Sequence, residues 1–101
     1  MKVVINTCYG VFSISEEAFT LLNLKWLGYG FINNETFNIK SNNPYEYRTY
    51  TPLVNVVEQL GEIANGKYAK LKIIDIPYNI DWYIHNYDGI ETVHEEHRLW
   101  S

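Results

Sequence analysis

The spacing of apolar residues predicts a strand followed by a helix at the start of the chain. Residues 2–6 are mostly β-branched and apolar and end at the turn-rich residues 7–10, which is typical of a buried strand. Apolar residues then recur at helical spacing from Ser15 to about Lys25. Ser13 fits the N-cap position of this helix, and Glu16 can reach back to its amide.

The middle of the chain is less regular and is followed by a second helix. Residues 28–47 are rich in asparagine, which favours turns, but they keep several apolar side chains. We therefore interpret them as an ordered, variable excursion or short hairpin within the domain. Thr51-Pro52 is a typical helix start, and the apolar stripe that follows continues to Asn65-Gly66. Gly61 is expected to break the last turn of this helix.

The last third of the chain predicts three strands. Residues 68–76 alternate between apolar and polar, and residues 82–86 and 90–93 alternate on either side of the tight-turn pair Asp88-Gly89. Residues 94–100 fit either a continued strand or a helical turn. The order is β-α-(irregular or hairpin)-α-β-β-β. It predicts a single α+β domain, 1–101, with two helices packed on one face of a small, mainly antiparallel sheet of four to five strands.

Composition and charge narrow the classes of partner. The chain has 101 residues, a net charge of −4 and a pI of about 5.2. An acidic chain lacks the basic face that binds extended nucleic acid. No apolar run approaches the roughly 18 residues of a membrane span, so no membrane partner is expected. The single cysteine, Cys8, excludes an intrachain disulfide and is typical of a reducing cytoplasm.

The loop after the first strand is the first candidate site. It leads into a helix start, where free amides and small hydroxyls can hold an anion. It lacks the second glycine, the lysine and the following Ser/Thr of a phosphate-binding P-loop. A tight turn around a buried Cys8 is about as plausible as anion binding and far more plausible than a cysteine nucleophile. The residues of this loop with ligand-binding chemistry are Asn6, Thr7, Cys8, Tyr9, Gly10 and Ser13.

The two arginines form a second candidate. Arg48 lies among tyrosines and Arg98 lies near Trp100, and these are the only arginines in the chain. A guanidinium fork suits phosphate, and flat rings suit a base, so a nucleotide-like ligand would use both. The alternative for each arginine is a local carboxylate partner, such as Glu46 or Glu96.

Histidines and tyrosines give weaker signals. His94 and His97 are three residues apart, whereas the zinc-peptidase pattern places its two histidines four apart on a helix. Even with His85 added from a paired strand, a charged solvated edge is the favoured interpretation, and no metal is expected. We find no paired catalytic carboxylates and no Ser-His-Asp order. Six tyrosines exceed the needs of so small a core and fit either a tyrosine-rich sheet face or an interface with a second copy or another protein: Tyr45, Tyr47, Tyr50, Tyr78, Tyr83 and Tyr87.

Both ends of the chain together resemble a family of small proteins encoded by tailed phages and prophages. The opening, Val4-Ile5-Asn6-Thr7-Cys8-Tyr9-Gly10 with Phe12-Ser13, is similar to the start of that family, which commonly has a second glycine in place of Val11. Further similarity lies in residues 52–66 and 71–77, in Tyr87-Asp88-Gly89-Ile90-Glu91, and in Glu96-His97-Arg98 with Trp100. The resemblance covers the chain except roughly residues 25–47.

This resemblance implies a phage accessory protein acting in the cytoplasm of the infected host bacterium, commonly in counter-defence. By analogy with phage proteins that sequester nucleotide immune signals, we expect a non-enzymatic homo-oligomer without a cofactor. It would capture a small phosphorylated or nucleotide-derived ligand through the loop residues, Arg48, His97, Arg98 and Trp100. Two alternatives stay open: a protein-binding inhibitor of a host or defence enzyme, and a small hydrolase using Cys8 or the histidines.

Overall fold

The computed structural model describes residues 1–95 and the backbone of residues 98–100. The chain folds into two α-helices and five strands, which confirms the α+β class. In chain order they are β1 (Lys2–Asn6), α1 (Glu16–Leu21), α2 (Thr51–Leu60), β2 (Leu71–Asp75), β3 (Tyr83–Tyr87), β4 (Ile90–Glu95) and β5 (Arg98–Trp100). Short 3-10 helices lie at Asn34–Phe37, Glu46–Thr49 and Gly61–Ala64.

The strands form two antiparallel sheets, so the single sheet of four to five strands is not confirmed. β1 pairs with β2, and β3, β4 and β5 form a second sheet in that order. β1 does not pair with a strand of the second sheet, because the side chains of Arg48 and Glu91 bind the backbone groups of its other edge.

The β1–β2 sheet is buried on both faces. Val4 belongs to the apolar cluster formed by the two helices, against which Ile73 also packs. Val3, Ile5 and Ile74 belong to a second cluster with residues of β3 and β4. Alternate residues of a strand point to opposite faces, so the continuous apolar run of β1 suits a strand covered on both sides.

The helix boundaries differ from the predicted ones at several points. Ser15, not Ser13, caps α1, and its hydroxyl accepts a hydrogen bond from the Ala18 amide at 3.2 Å. α1 ends at Leu21 rather than near Lys25, since Asn23 already has a positive φ of 58°. The predicted break at Gly61 is confirmed, because α2 ends there and the chain continues as a 3-10 helix.

The predicted β3–β4 hairpin is confirmed. Asp88 and Gly89 both have positive φ values, 51° and 95°, as a two-residue hairpin turn requires. The chain beyond the turn continues as strand to Glu95 and is again strand in β5, rather than a helical turn.

The excursion over residues 28–47 carries 3-10 helix rather than a hairpin. Ile32 is buried in the core, and Phe37 and Ile39 pack against it. The side-chain oxygen of Asn33 accepts a hydrogen bond from the Thr36 amide at 3.1 Å and caps the first 3-10 helix. The asparagines of this segment therefore serve as caps in packed structure. Within the described residues, neither α-helix combines the length and the apolar character needed to cross a membrane.

Candidate functional site

Arg48 and Glu91 form a buried ion pair between the second 3-10 helix and β4. Each of the two residues is only 2% exposed. Arg48 Nη1 donates to Glu91 Oε1 at 2.7 Å, and Nη2 donates to Oε2 at 2.8 Å. This bidentate geometry fixes direction as well as charge. Arg48 therefore does have a carboxylate partner, but the partner is Glu91 and not the neighbouring Glu46. Both of its terminal nitrogens are used inside the protein.

The same ion pair binds the free edge of β1. Alternate residues of an antiparallel strand turn their backbone groups away from its partner strand. In β1 these groups reach Arg48 and Glu91: Arg48 Nη1 donates to the Val4 carbonyl at 3.1 Å, and the Asn6 amide donates to Glu91 Oε1 at 2.7 Å. The guanidinium and the carboxylate thus supply the donor and the acceptor that a neighbouring strand would supply.

Aromatic rings enclose the guanidinium. The Phe12 ring centroid lies 3.5 Å from Arg48 Cζ, and that of Tyr47 lies 5.0 Å away. Burial is the largest single influence on the pKa of Arg48 and lowers it, but Glu91 and Tyr47 together outweigh burial and raise the pKa above its usual value. Burial also raises the pKa of Tyr47, although the charge of Arg48 opposes this. Among the described residues, Arg48 Nε is a buried polar atom without a hydrogen-bond partner. The Arg48 cation is therefore held by an ion pair, a backbone hydrogen bond and aromatic rings, all within the protein.

Asn6 connects three segments through one buried side chain. Its Nδ2 donates to the Gly89 carbonyl at 2.8 Å and to the Cys8 carbonyl at 3.0 Å. Its Oδ1 accepts a hydrogen bond from the Lys70 amide at 2.8 Å. The side chain thus joins the end of β1 to the β3–β4 turn and to the residue that precedes β2. We call Asn6, Arg48 and Glu91 the polar hub.

Two glycines allow the loop after β1 to lie directly against the β3–β4 turn. The Gly10 amide donates to the Asp88 carbonyl at 3.1 Å. A Cβ atom at Gly89 would lie 1.9 Å from the Gly10 carbonyl oxygen, and one at Gly10 would lie 2.2 Å from the Tyr68 carbonyl oxygen. Both glycines have positive φ. The loop after β1 and the β3–β4 turn therefore meet in space.

The other predicted ligand-binding residues of the loop divide into inner and outer ones. Thr7 Oγ1 and Cys8 Sγ donate to the carbonyls of residues 70 and 68, at 2.9 and 3.3 Å. Ser13 is buried. Tyr9 is the exception, because it is 69% exposed. Most of the loop's polar side chains are thus bonded to the protein itself.

A surface cleft of about 390 Å³ lies on the outer side of this loop. We call it the aromatic cleft, and it is lined in part by Val11, Trp26, Tyr29, Phe31, Lys67 and Tyr68. Tyr29 and Phe31 are 52% and 55% exposed, and their ring centroids are 5.7 Å apart. The volume is within the roughly 300–1,000 Å³ typical of small-molecule sites. The sequence analysis missed this cleft, although aromatic residues beside Gly28 and Gly30 were a signal of it.

Backbone hydrogen bonds hold the segments that line the cleft. The Ile14 amide donates to the Gly30 carbonyl, and the Gly66 amide donates to the Ser13 carbonyl, both at 3.0 Å. The charged residues that line the cleft are Glu16 and Lys67. Lys67 Nζ lies 5.3 Å from the centroid of the Tyr68 ring. The cleft thus combines flat exposed rings with one ammonium and one carboxylate group, and backbone hydrogen bonds join the segments that line it.

A second cleft, of about 480 Å³, is lined by charged groups that are already paired. Lys2 Nζ lies 2.7 Å from Glu58 Oε2, and the Met1 ammonium lies 3.1 Å from Asp75 Oδ1. The bond to Glu58 raises the pKa of Lys2. These cations are neutralised by carboxylates at the surface, so this cleft is the weaker candidate for an anionic ligand.

His85 and His94 lie on the exposed face of the β3–β4 hairpin. The His94 ring stacks on Tyr83 with centroids 5.3 Å apart, and the His85 ring centroid lies 5.6 Å from that of His94. His94 Nε2 lies 2.7 Å from Thr92 Oγ1. Over residues 1–95, no three His, Cys, Asp or Glu side chains come close enough to hold a metal ion.

Three of the expected ligand-binding residues have side chains outside the part of the chain that the structure describes. They are His97, Arg98 and Trp100, although the backbone of the latter two lies in β5. Comparison with protein-family models, curated proteins and solved structures finds no match to this chain.

Proposed function

We propose that the protein is a non-enzymatic binding protein that captures a small nucleotide-derived ligand in the aromatic cleft. The observation that carries the proposal is the pair of exposed rings, Tyr29 and Phe31, at a cleft of ligand size. Flat exposed rings bind nucleobases by stacking, which contributes about 1–3 kcal/mol per base. A protein that only captures its ligand needs no catalytic pair of side chains.

The charges around the cleft support a ligand with few phosphates. Lys67 can bind one phosphate group from the rim, as a flexible point charge. Arg48 is removed from the proposed contacts, because its terminal nitrogens are bonded to Glu91 and Val4. The contribution of His97, Arg98 and Trp100 stays part of the proposal and rests on the sequence.

The biological setting is proposed on the resemblance alone. The segments similar to the phage and prophage family imply a counter-defence protein in the cytoplasm of an infected bacterium. In that setting the ligand would be a nucleotide immune signal, and the protein would act as a homo-oligomer. Capture then lowers the free concentration of the signal in proportion to the amount of protein.

Native mass spectrometry and calorimetry test the proposal together. Protein purified from cells that make cyclic oligonucleotides or ADP-ribose derivatives is expected to retain a constant extra mass of a few hundred daltons. Titration with the same compounds is expected to show binding that Tyr29→Ala weakens at least tenfold, through the loss of stacking. Lys67→Gln is expected to weaken binding only for phosphorylated compounds.

Tyr78→Ala is the matched control, since Tyr78 is also an exposed tyrosine but lines the other cleft. It is expected to bind as the unaltered protein does. A protein without retained mass that gives no heat with any of these compounds would contradict the proposal.

The second candidate function is a protein-binding inhibitor. It is favoured by the extent of exposed aromatic surface, since Tyr9 and Tyr68 are also exposed and lie on or next to segments that line the cleft. Tyrosine-rich surfaces are enriched at protein interfaces. A stoichiometric host protein that is retained by the unaltered chain and lost with Tyr9→Ala would favour this function over ligand capture.

A further inference from the structure

β3 is an edge strand without the usual protection against pairing. It lies at one end of the order β3-β4-β5, and four of its five residues are exposed. Its sequence, Tyr-Ile-His-Asn-Tyr, contains no Lys, Asp, Glu or Pro. Natural edge strands commonly carry such residues because an unprotected row of backbone groups pairs with other chains.

The backbone groups of Ile84 and Asn86 form this row. Tyr87 pairs with Ile90 across a two-residue turn, and in such a hairpin that pair exchanges hydrogen bonds. Every second residue does the same, so Ile84 and Asn86 turn their N–H and C=O groups outward. Within the described residues, no hydrogen bond outside the β3–β4 ladder reaches these groups.

The edge of β1 is an example in this protein of a strand edge that side chains cover. There Arg48 and Glu91 bind the outward groups of Val4 and Asn6. In the described part of the chain no side chain bonds to the outward groups of Ile84 and Asn86, although Ile84 as a whole is only 5% exposed because its side chain packs in the core. The nearest cover is the Asn43 side chain, whose Nδ2 donates to the Trp82 carbonyl at 3.4 Å and so marks one end of the open stretch.

We propose that two copies of the chain pair antiparallel through β3, about a two-fold axis at His85. In this register Ile84 lies opposite Asn86 of the second copy. These are the residues with outward backbone groups, so each such pair exchanges two hydrogen bonds and the dimer gains four. This is also the register in which all five residues of both strands overlap.

The side chains of the exposed face also match in this register. Tyr83 lies opposite Tyr87 of the second copy, on the face that carries His85. These tyrosines are 50% and 64% exposed in the single chain, so pairing buries aromatic surface that one copy leaves open. A five-residue strand pair is a small interface, so we expect a dimer that dissociates on dilution.

A charge swap at the axis tests the proposal. The unaltered protein is expected to show a dimer in sedimentation that weakens with dilution. In the proposed dimer the two residues at position 85 form a pair without hydrogen bonds, with Cα atoms about 4.5 Å apart. His85→Glu and His85→Lys each place like charges at this pair, so each variant is expected to be monomeric. An equimolar mixture, with one variant labelled by ¹⁵N, is expected to form a heterodimer identified by its mass.

Two further variants keep the test decisive. Asn86→Pro removes an outward N–H group, which β4 does not use, and also the Oδ1 that accepts a hydrogen bond from the Gly89 amide at 2.7 Å. It is expected to give a monomer, and amide chemical shifts check that the β3–β4 pairing is kept. Tyr78→Glu changes an exposed residue outside β3 and is expected to stay dimeric. A protein that is monomeric at every concentration, or dimers that survive in both His85 variants, would overturn the proposal. Since no ligand is added, this result is separate from the test of ligand capture.

Discussion

The polar hub and the aromatic cleft lie on opposite sides of one loop and have opposite physical character. On the inner side, Asn6, Arg48 and Glu91 are almost fully buried, and their polar groups bond to the backbone or to each other. On the outer side, Tyr29 and Phe31 are half exposed. The polar hub joins β1 to the β3–β4 turn and to the start of β2, whereas the aromatic cleft exposes aromatic surface to solvent. Arg48, which the sequence predicts as a ligand-binding residue, is therefore bonded within the protein instead.

The difference has a simple energetic reason. A buried charge is tolerated only when it is paired and hydrogen-bonded, so Arg48 and Glu91 specify each other's positions strongly. Exposed aromatic side chains cost little to keep on the surface and gain free energy when a flat partner covers them. Changes in the hub should therefore act on folding, and changes in the cleft should act on binding.

The largest expected effect is the loss of one partner of the buried ion pair. Glu91→Ala leaves the Arg48 charge buried without a counter-ion and is expected to cost about 3–5 kcal/mol of unfolding free energy. Urea unfolding followed by circular dichroism measures this. The double variant Arg48→Met/Glu91→Leu removes both charges and is expected to recover only part of the loss, because the Val4 carbonyl and the Asn6 amide lose their hydrogen-bond partners. A Glu91→Ala protein as stable as the original would show that the hub does not hold the fold.

The next largest effect is the loss of unfolding free energy on replacing Gly89 by alanine, compared with the same change at Gly28. Gly89 and Gly28 have almost the same φ, 95° and 96°, but only Gly89 has backbone atoms where a Cβ would lie. Gly28→Ala is expected to cost about 1–2 kcal/mol for the positive φ alone. Gly89→Ala is expected to cost clearly more, because the loop must move away from the turn. Equal losses in urea unfolding would mean that the contact between Gly10 and Gly89 contributes nothing.

Changes in the cleft are expected to leave stability nearly unchanged. Phe31→Ala removes an exposed ring, and exposed substitutions usually change the unfolding free energy by less than about 0.5 kcal/mol. The same variant is expected to lose ligand binding through the lost stacking surface. Paired measurements of urea midpoint and calorimetric affinity check this. A large loss of stability would show that the cleft, like the hub, is part of the structural core.

The smallest effect concerns alkaline pH. Burial raises the pKa of Tyr47, with Arg48 opposing it. The unfolded chain therefore releases this proton first as pH rises, near the usual tyrosine value of about 10. The contribution of Tyr47 is fully present below that pH and is lost as pH rises through the folded-state pKa. Urea midpoints are expected to fall above about pH 10 and to fall less in Tyr47→Phe; identical pH profiles would contradict this.

The elements of the fold were largely predictable, because their signals are local. The β-branched run of β1, the Thr51-Pro52 start of α2 and the Asp88-Gly89 turn each depend on residues adjacent in the chain. The cap of α1 was misplaced by two residues, since Ser13 with Glu16 fits the capping-box pattern. Only Ser15 has its hydroxyl within reach of the Ala18 amide.

The candidate site was less predictable, because it depends on contacts between distant segments. The sequence identified Asn6, Arg48 and the 87–91 segment as unusual, and it offered a carboxylate partner for Arg48. It could not choose Glu91, which lies 43 positions away. It also missed the cleft, because nothing local shows that residues 26–31 and 67–68 line the same surface.

The sequence by itself determined the α+β class, the main helices and strands, and the turns, since backbone propensity and apolar period act over a few residues. The tertiary structure alone decided that there are two sheets, that Arg48 is internal, and that aromatic rings line the outer side of the loop. These outcomes depend on which buried charge finds which partner and which strand edge is covered. These contacts join residues that are far apart in the chain, so the local spacing of residues does not predict them.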